Sequence, residues 1–283
     1  TDTQELLNIS RNQGYPVFTT PLMAAKALHM SATYYEEKTA RDQRGNRMET
    51  RVDAEAIAKI KDQCKTQRRI PLTDEALRIA EAAGIRCIAG VTVKSAKEAG
   101  GVSLRFPVAV KLLSRDASHK SDIGGVRLHV KNHRELRKAI SGMKKSIRGI
   151  SPRPAIDGFL IQEMSADGVE CFVGGRQDPV FGPIVIAGLG GVFLEIFRDT
   201  AIRLAPVTKN EALDMLGQLK AYPVLRGARG GKIADIEALA DVICRVSHLL
   251  ATHPDIAEID LNPVMVHEQG RGVSAVDSRV FFK

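Results

Sequence analysis

A lysine sits near the end of the apolar run Pro107-Val-Ala-Val-Lys-Leu-Leu113, and one short turn later comes Ser118-His-Lys-Ser-Asp-Ile-Gly-Gly-Val126. No other stretch narrows the possible folds as much. The run reads as a buried strand, where an unpaired ammonium is costly, so Lys111 either reaches out at the strand end or meets a fixed anion. Gly124 and Gly125 let backbone N–H groups approach phosphate oxygens with no side chain between, and His119 and Lys120 make the same loop basic. Strand, lysine and glycine loop together predict a chain that folds over a nucleotide triphosphate. A basic turn formed by chance is the plainer alternative.

The chain has 283 residues and 44% hydrophobic content, enough for a sizeable core divided into more than one domain or lobe. A net charge of +8 would suit a polyanion, yet the basic residues are spread along the chain or gathered between Lys38 and Arg69. With no tryptophan, four tyrosines and nine phenylalanines, stacking platforms for bases are few, so the charge is read as solvated surface plus an anionic small-molecule site, with no nucleic-acid partner. Cys64, Cys87, Cys171 and Cys244 show neither CxxC spacing nor a regular framework, which predicts free thiols in a cytoplasmic protein. No apolar run approaches the roughly 18 residues that span a bilayer, no signal pattern opens the chain, and no membrane partner is expected. Because Thr1 is not methionine, a fragment or processed piece is expected.

Residues 1–35 predict a short strand, Tyr15–Phe18, and a helix from Pro21 to about Ala32, too little to close a core and so the tail of another domain. Residues 36–70 are heavily charged and read as a linker carrying an amphipathic helix near Asp53–Gln67. From 71 to 283 the texture changes. Thr73 is the expected N-cap of a helix that Gly84 stops, and Leu136, Ala139, Ile140, Met143 and Ile147 mark the face of a second. Thr208 and Glu211 are spaced as a capping box, and another helix is expected over Ile233–Ala251. Strands are predicted at Val108–Leu112, Gly158–Glu163, Glu170–Gly174, Pro183–Ile186, Ile256–Leu261 and Val273–Val276. Helices and strands interleave without strict alternation, which argues for α+β lobes with mixed sheets over a doubly wound α/β sheet.

Asp157-Gly-Phe-Leu-Ile-Gln-Glu-Met164 reads as a strand whose end presents backbone groups to a purine edge, with Glu163 available for ribose hydroxyls. Glu170 faces the same region if the two strands form a hairpin; surface charge is the alternative. Gly188, Gly190 and Gly191 are expected in a compact turn before Glu195 that lets phosphate approach the backbone, or as plain loop geometry. Leu225-Arg-Gly-Ala-Arg-Gly-Gly231 suits an anion clamp. Glu258-Ile-Asp-Leu-Asn-Pro263 is the strongest acidic element. Alternation puts Glu258, Asp260 and Asn262 on one strand face, with Pro263 ending the strand, and Asp277 on the next strand can close a magnesium site of hard oxygen ligands. An exposed acidic strand is the alternative.

Taken in order, Pro107–Lys111, Ser118–Val126, Asp178-Pro-Val-Phe-Gly182, Gly188–Glu195, Leu225–Gly231 and Glu258–Pro263 resemble the ATP-grasp module of nucleoside-diphosphate-forming acyl-CoA synthetases, relatives of the succinyl-CoA synthetase beta subunit. The resemblance runs from about Leu72 to Lys283; more weakly, Gly14–Ala32 resembles the end of the CoA-ligase lobe that precedes this module in single-chain members. It implies a two-lobed ATP-grasp fold with ATP between the lobes, Lys111 on the phosphates, residues 162–164 on adenine, and magnesium at Asp260, Asn262 and Asp277. It further implies conversion of acid, CoA and ATP to acyl-CoA, ADP and phosphate through an acyl phosphate and a phosphohistidine. The principal phosphohistidine belongs to the CoA-ligase part, outside this sequence, which becomes the expected partner in an oligomeric enzyme. His119 matches the histidine implicated at the ATP end, and Arg229 the arginine of the RG element. Two other readings are an ATP-grasp carboxylate–amine ligase, which needs an acceptor pocket within these lobes, and a nucleotide-sensing module of an attached acyltransferase.

Overall fold

The computed structural model describes residues 3–43, 51–116, 123–151, 154–191 and 199–283. Two compact units divide the chain, Thr1–Arg47 and Met48–Lys283. In the first, α1 (Thr3–Asn12) and α2 (Pro21–Gln43) are joined by irregular chain. The strand expected at Tyr15–Phe18 does not form: the segment has no ladder partner and Tyr15, Val17 and Phe18 are exposed. The helix runs eleven residues past Ala32, since nothing from Ser31 to Gln43 is glycine or proline.

The second unit opens with α3 (Ala54–Thr66), capped by the Asp53 carboxylate, which accepts from the Ala56 N–H at 3.0 Å. This helix is not part of a free linker. Ile57, Ile60 and Cys64 are buried in the main core against α4 (Thr73–Ala82), because spacing of three and four residues puts them on one face. Thr73 is the first helical residue of α4 and not its cap; Leu72 holds that position, and its N–H donates to the Glu75 carboxylate at 2.8 Å. Gly84 follows the helix at φ +77°, as expected of the residue that ends it.

Two antiparallel sheets form the body. The first has the order β1 (Gly90–Val93), β4 (Gly158–Glu163), β2 (Val108–Leu113), β3 (Val126–Val130). The helix α5 (His133–Arg148) covers one of its faces, where Leu136, Ile140, Met143 and Ile147 meet Val108, Val110, Leu112, Phe159 and Ile161. The second sheet has the order β10 (Ser278–Phe282), β8 (Ile256–Val266), β5 (Val169–Asp178), β6 (Gly182–Leu189), β7 (Thr200–Leu204), with β9 (Val273–Ala275) beside β8. Its inner face packs on α6 (Lys209–Gly217), which has the expected Thr208–Glu211 capping box, and on α7 (Ile236–Thr252). All ladders between named strands are antiparallel, where mixed sheets were expected. Strands β1, β3, β7 and β10 escaped the sequence reading; all four are sheet edges, and none buries more than two residues. No helix among the described residues is long and apolar enough to cross a membrane.

Candidate nucleotide and metal site

Strand β2 is buried on both faces. Val108, Val110 and Leu112 turn to α5, so Ala109, Lys111 and Leu113 turn the opposite way, toward the second sheet. Cross-strand pairing fills that face with Leu160 beside Lys111, Gln162 beside Ala109, and Gly90 beyond Gln162. Lys111 is 6% exposed. Its ammonium donates to the Val276 carbonyl at 2.7 Å and to Asp277 Oδ2 at 3.3 Å. Burial pulls the lysine pKa down, and the Asp277 charge and hydrogen bond oppose that. The strand-end escape is therefore not used; in this structure the anion is a carboxylate of the protein, where phosphate was expected. Val276 and Asp277 lie between β9 and β10, so the contact ties one sheet to the other.

Along β8, Ile259 and Leu261 are fully buried, while Glu258, Asp260 and Asn262 alternate with them on the open face. The strand does not stop at Pro263. It continues to Val266 through a register shift opposite Cys171 and Val173, the kind of irregularity that tolerates a residue with no N–H to donate. Asp277 falls just past β9, and its backbone carbonyl accepts from the Asn262 N–H at 3.2 Å. Asp277 Oδ1 accepts from the Ser278 N–H at 2.9 Å. Burial raises the Asp260 pKa, Arg279 opposes this, and the charges of Glu258 and Asp277 add to it. The backbone bond puts Asn262 beside Asp277, and Asp260 is near enough to feel the Asp277 charge; carboxylate and amide oxygens of this kind are ligands that suit a magnesium ion keeping phosphate and water. Among the described residues no group of three or more His, Cys, Asp or Glu could hold a metal.

Gln162 shares the face of Lys111 and is 1% exposed, and among the described residues neither its amide nitrogen nor its amide oxygen has a partner. Alternation turns Glu163 to the opposite face, where its carboxylate accepts from the Arg105 N–H at 2.9 Å and guanidinium at 3.3 Å; these contacts hold its pKa down. The structure therefore does not bring the Glu163 side chain to Lys111 and Gln162. The Met164 N–H donates to the Pro107 carbonyl at 3.3 Å. Glu170 is in the second sheet and forms no hairpin with β4, because β4 pairs only with β1 and β2. It lies instead beside the glycines: its carbonyl accepts from Gly190 N–H at 2.7 Å, and a Cβ on Gly191 would stand 3.8 Å from its carboxylate. Gly188 belongs to β6 and not to the turn; a Cβ there would meet the Asp199 carbonyl at 2.5 Å and the Phe172 ring. Gly124 takes φ +66°, and the Gly125 carbonyl accepts from Leu112 N–H at 2.7 Å, tying the end of the basic loop to β2. His119, Lys120 and Glu195 lie outside the described residues, and Arg229 is described only by its backbone, in the turn Ala228–Gly230. Sequence reasoning missed Arg279, which alternation on β10 sets opposite Asp260, and the Val276 carbonyl, which no sequence signal marks.

Residues 62–282 match the family described as the ATP-grasp domain. The chain is 37% identical over 274 residues to acetate–CoA ligase (ADP-forming) I of Archaeoglobus fulgidus, covering 96% of this chain and 39% of that protein. It is 40% identical over 221 residues to the beta subunit of acetate–CoA ligase (ADP-forming) I of Pyrococcus furiosus, covering 77% of this chain and 94% of that subunit. Among solved structures it is similar to the dinucleotide-forming acetyl-coenzyme A synthetase 1 of Ca. Korarchaeum cryptofilum in complex with coenzyme A, Ca-AMPCP and HgCl+, with TM-score 0.74 and 38% identity over 78% of this chain and 97% of that one. Two antiparallel sheets facing each other across Lys111 and Asp277 are the ATP-grasp fold, and the chain belongs to the ATP-grasp family of the ADP-forming acyl-CoA ligases.

Proposed function

We propose that this chain is the ATP-binding, phosphoryl-transferring part of an ADP-forming acyl-CoA synthetase. The observation that carries the reading is Lys111, buried on the first sheet and bonded to Asp277 between two strands of the second, with Asp260 within reach of the Asp277 charge and the Asn262 N–H on the Asp277 carbonyl. The Korarchaeum enzyme has been solved with Mg-AMPPCP and a phosphohistidine segment pointing towards its nucleotide binding site, which supports ATP and magnesium as the ligands here. Lys111 would hold the triphosphate as a point charge, Gln162 and the backbone of residues 163–164 the base, and Glu170 with Gly190 and Gly191 a further part of the nucleotide. Lys120, Gly124 and Gly125 would close over the phosphates. Asp260, Asn262 and Asp277 would hold magnesium, which when bound neutralises phosphate charge. His119 and Arg229 would stabilise the phosphoryl group as it leaves, with Glu195 in the same phosphate loop.

The rest of the reaction needs a CoA-ligase part. There a histidine would take the γ-phosphoryl group, releasing ADP, and pass it to a carboxylic acid; CoA thiolate would then displace phosphate from the acyl phosphate. The family match begins at residue 62, whereas likeness to the single-chain Archaeoglobus enzyme extends over 96% of the chain. That difference supports residues 1–35 as the tail of a CoA-ligase-like domain joined to the ATP-grasp domain through a connection that ends before α3, which packs with the ATP-grasp core instead of lying in a linker that reaches residue 70. The enzyme would be oligomeric and cytoplasmic. The test is calorimetric titration of the chain with ATP and magnesium, with acyl-CoA synthesis assayed before and after adding the CoA-ligase part. Binding alone, and synthesis only with the partner, is the expected result. No ATP binding overturns the nucleotide reading, and full synthesis by the isolated chain overturns the division of labour.

A further inference from the structure

We propose that Lys111 occupies the metal-binding carboxylate of Asp277 in the nucleotide-free protein, so that magnesium loads with the nucleotide and binds weakly ahead of it. The inference rests on the nucleotide reading above and adds the order of loading. Lys111 is anchored on a strand paired on both sides, by β3 and β4, and its ammonium cannot withdraw to water. As an ammonium it is left without charge compensation wherever no anion faces it. Asp277 divides its oxygens: Oδ1 is held by the Ser278 N–H, and Oδ2 faces the ammonium at 3.3 Å. A divalent ion arriving alone must share that carboxylate with a cation, or leave the ammonium buried without an anion. Arriving with a triphosphate, it brings the oxygen that takes over the ammonium. Asp277 passes from lysine to metal while lysine passes from Asp277 to phosphate, and no charge is left unpaired. The Val276 carbonyl, which accepts from the same ammonium at 2.7 Å, takes no part in the exchange and can keep its bond.

The test is Mn2+ binding to the full 283-residue chain, read by electron paramagnetic resonance, with no turnover involved. Wild type should bind Mn2+ alone at least about tenfold more weakly than with a non-hydrolysable ATP analogue, and Lys111→Met should bind Mn2+ alone about tenfold more tightly than wild type while binding the analogue more weakly. Adding Asp277→Asn to Lys111→Met should remove that gain. The wild-type comparison stands without any variant, should Lys111→Met fail to fold. Equal Mn2+ affinity with and without analogue, or no gain in a folded Lys111→Met, overturns the exchange. If that occurs with analogue binding intact, the nucleotide reading survives; if the analogue does not bind at all, both fall.

Discussion

Lys111 and Gln162 stand on one face of the first sheet with opposite requirements, one a charge held by a partner and the other an amide with none. A charge-assisted hydrogen bond is worth about 1.5–3 kcal/mol, so Lys111→Met should weaken ATP binding roughly ten- to a hundredfold. Adenosine, which has no phosphate, should bind as before; an equal loss for adenosine in the same calorimetric titration would show the lysine acting through structure. Gln162→Leu carries a paired expectation. A buried polar atom without a partner costs about 1–3 kcal/mol, so the leucine variant should melt at or above the wild-type temperature while binding ATP more weakly. A higher melting temperature with unchanged ATP affinity would make Gln162 a packing residue only. At Asp277, replacement by alanine should reduce the gain in ATP affinity that magnesium provides, with the far-ultraviolet spectrum unchanged.

Helix α4 depends on a pair that its own sequence only half reveals. The Glu75 carboxylate accepts from Arg69 at 2.8 Å and from the Leu72 N–H, and both side chains of the Arg69–Glu75 pair are almost fully buried. Burial raises the Glu75 pKa, but the hydrogen bonds from Arg69 and Leu72 together outweigh it and hold the value below the ordinary 4.5. A depressed folded pKa contributes stability that is complete above the unfolded value and fades as pH falls through the folded one. Urea denaturation should therefore show wild type losing stability as pH drops below 4.5, with a shallower loss in Glu75→Gln. Arg69→Met leaves a buried carboxylate uncompensated and should cost about 3–5 kcal/mol at neutral pH. A loss under 1 kcal/mol at neutral pH, of the size of an exposed ion pair, would show that water reaches Glu75.

Across the second unit the two sheets divide the proposed site, the first supplying the lysine and the second the acidic residues, so the proposed phosphoryl transfer would depend on both. His119→Ala should leave ATP binding intact and sharply slow phosphoryl exchange between ATP and the CoA-ligase part, followed with labelled phosphate; a wild-type exchange rate would make the histidine structural. Most of this division was legible in the chain. The apolar run around Lys111, the alternation of Glu258, Asp260 and Asn262, and the face marked by Leu136, Ile140, Met143 and Ile147 are local periodicities, and each is found where its period puts it. Periodicity also misled at edges: β1, β3 and β7 bury too little to leave a pattern, and Glu163 and Glu170 looked adjacent because their strands follow one another, although they belong to different sheets. Local spacing was enough to mark the Lys111 strand, the acidic strand and the glycine turns, since spacing along a chain sets which side chains share a face. That Lys111 meets Asp277, that Glu163 is held by Arg105, and that Gln162 has no partner among the described residues came from packing, because partners 166 and 58 residues apart are chosen by how the strands and sheets assemble.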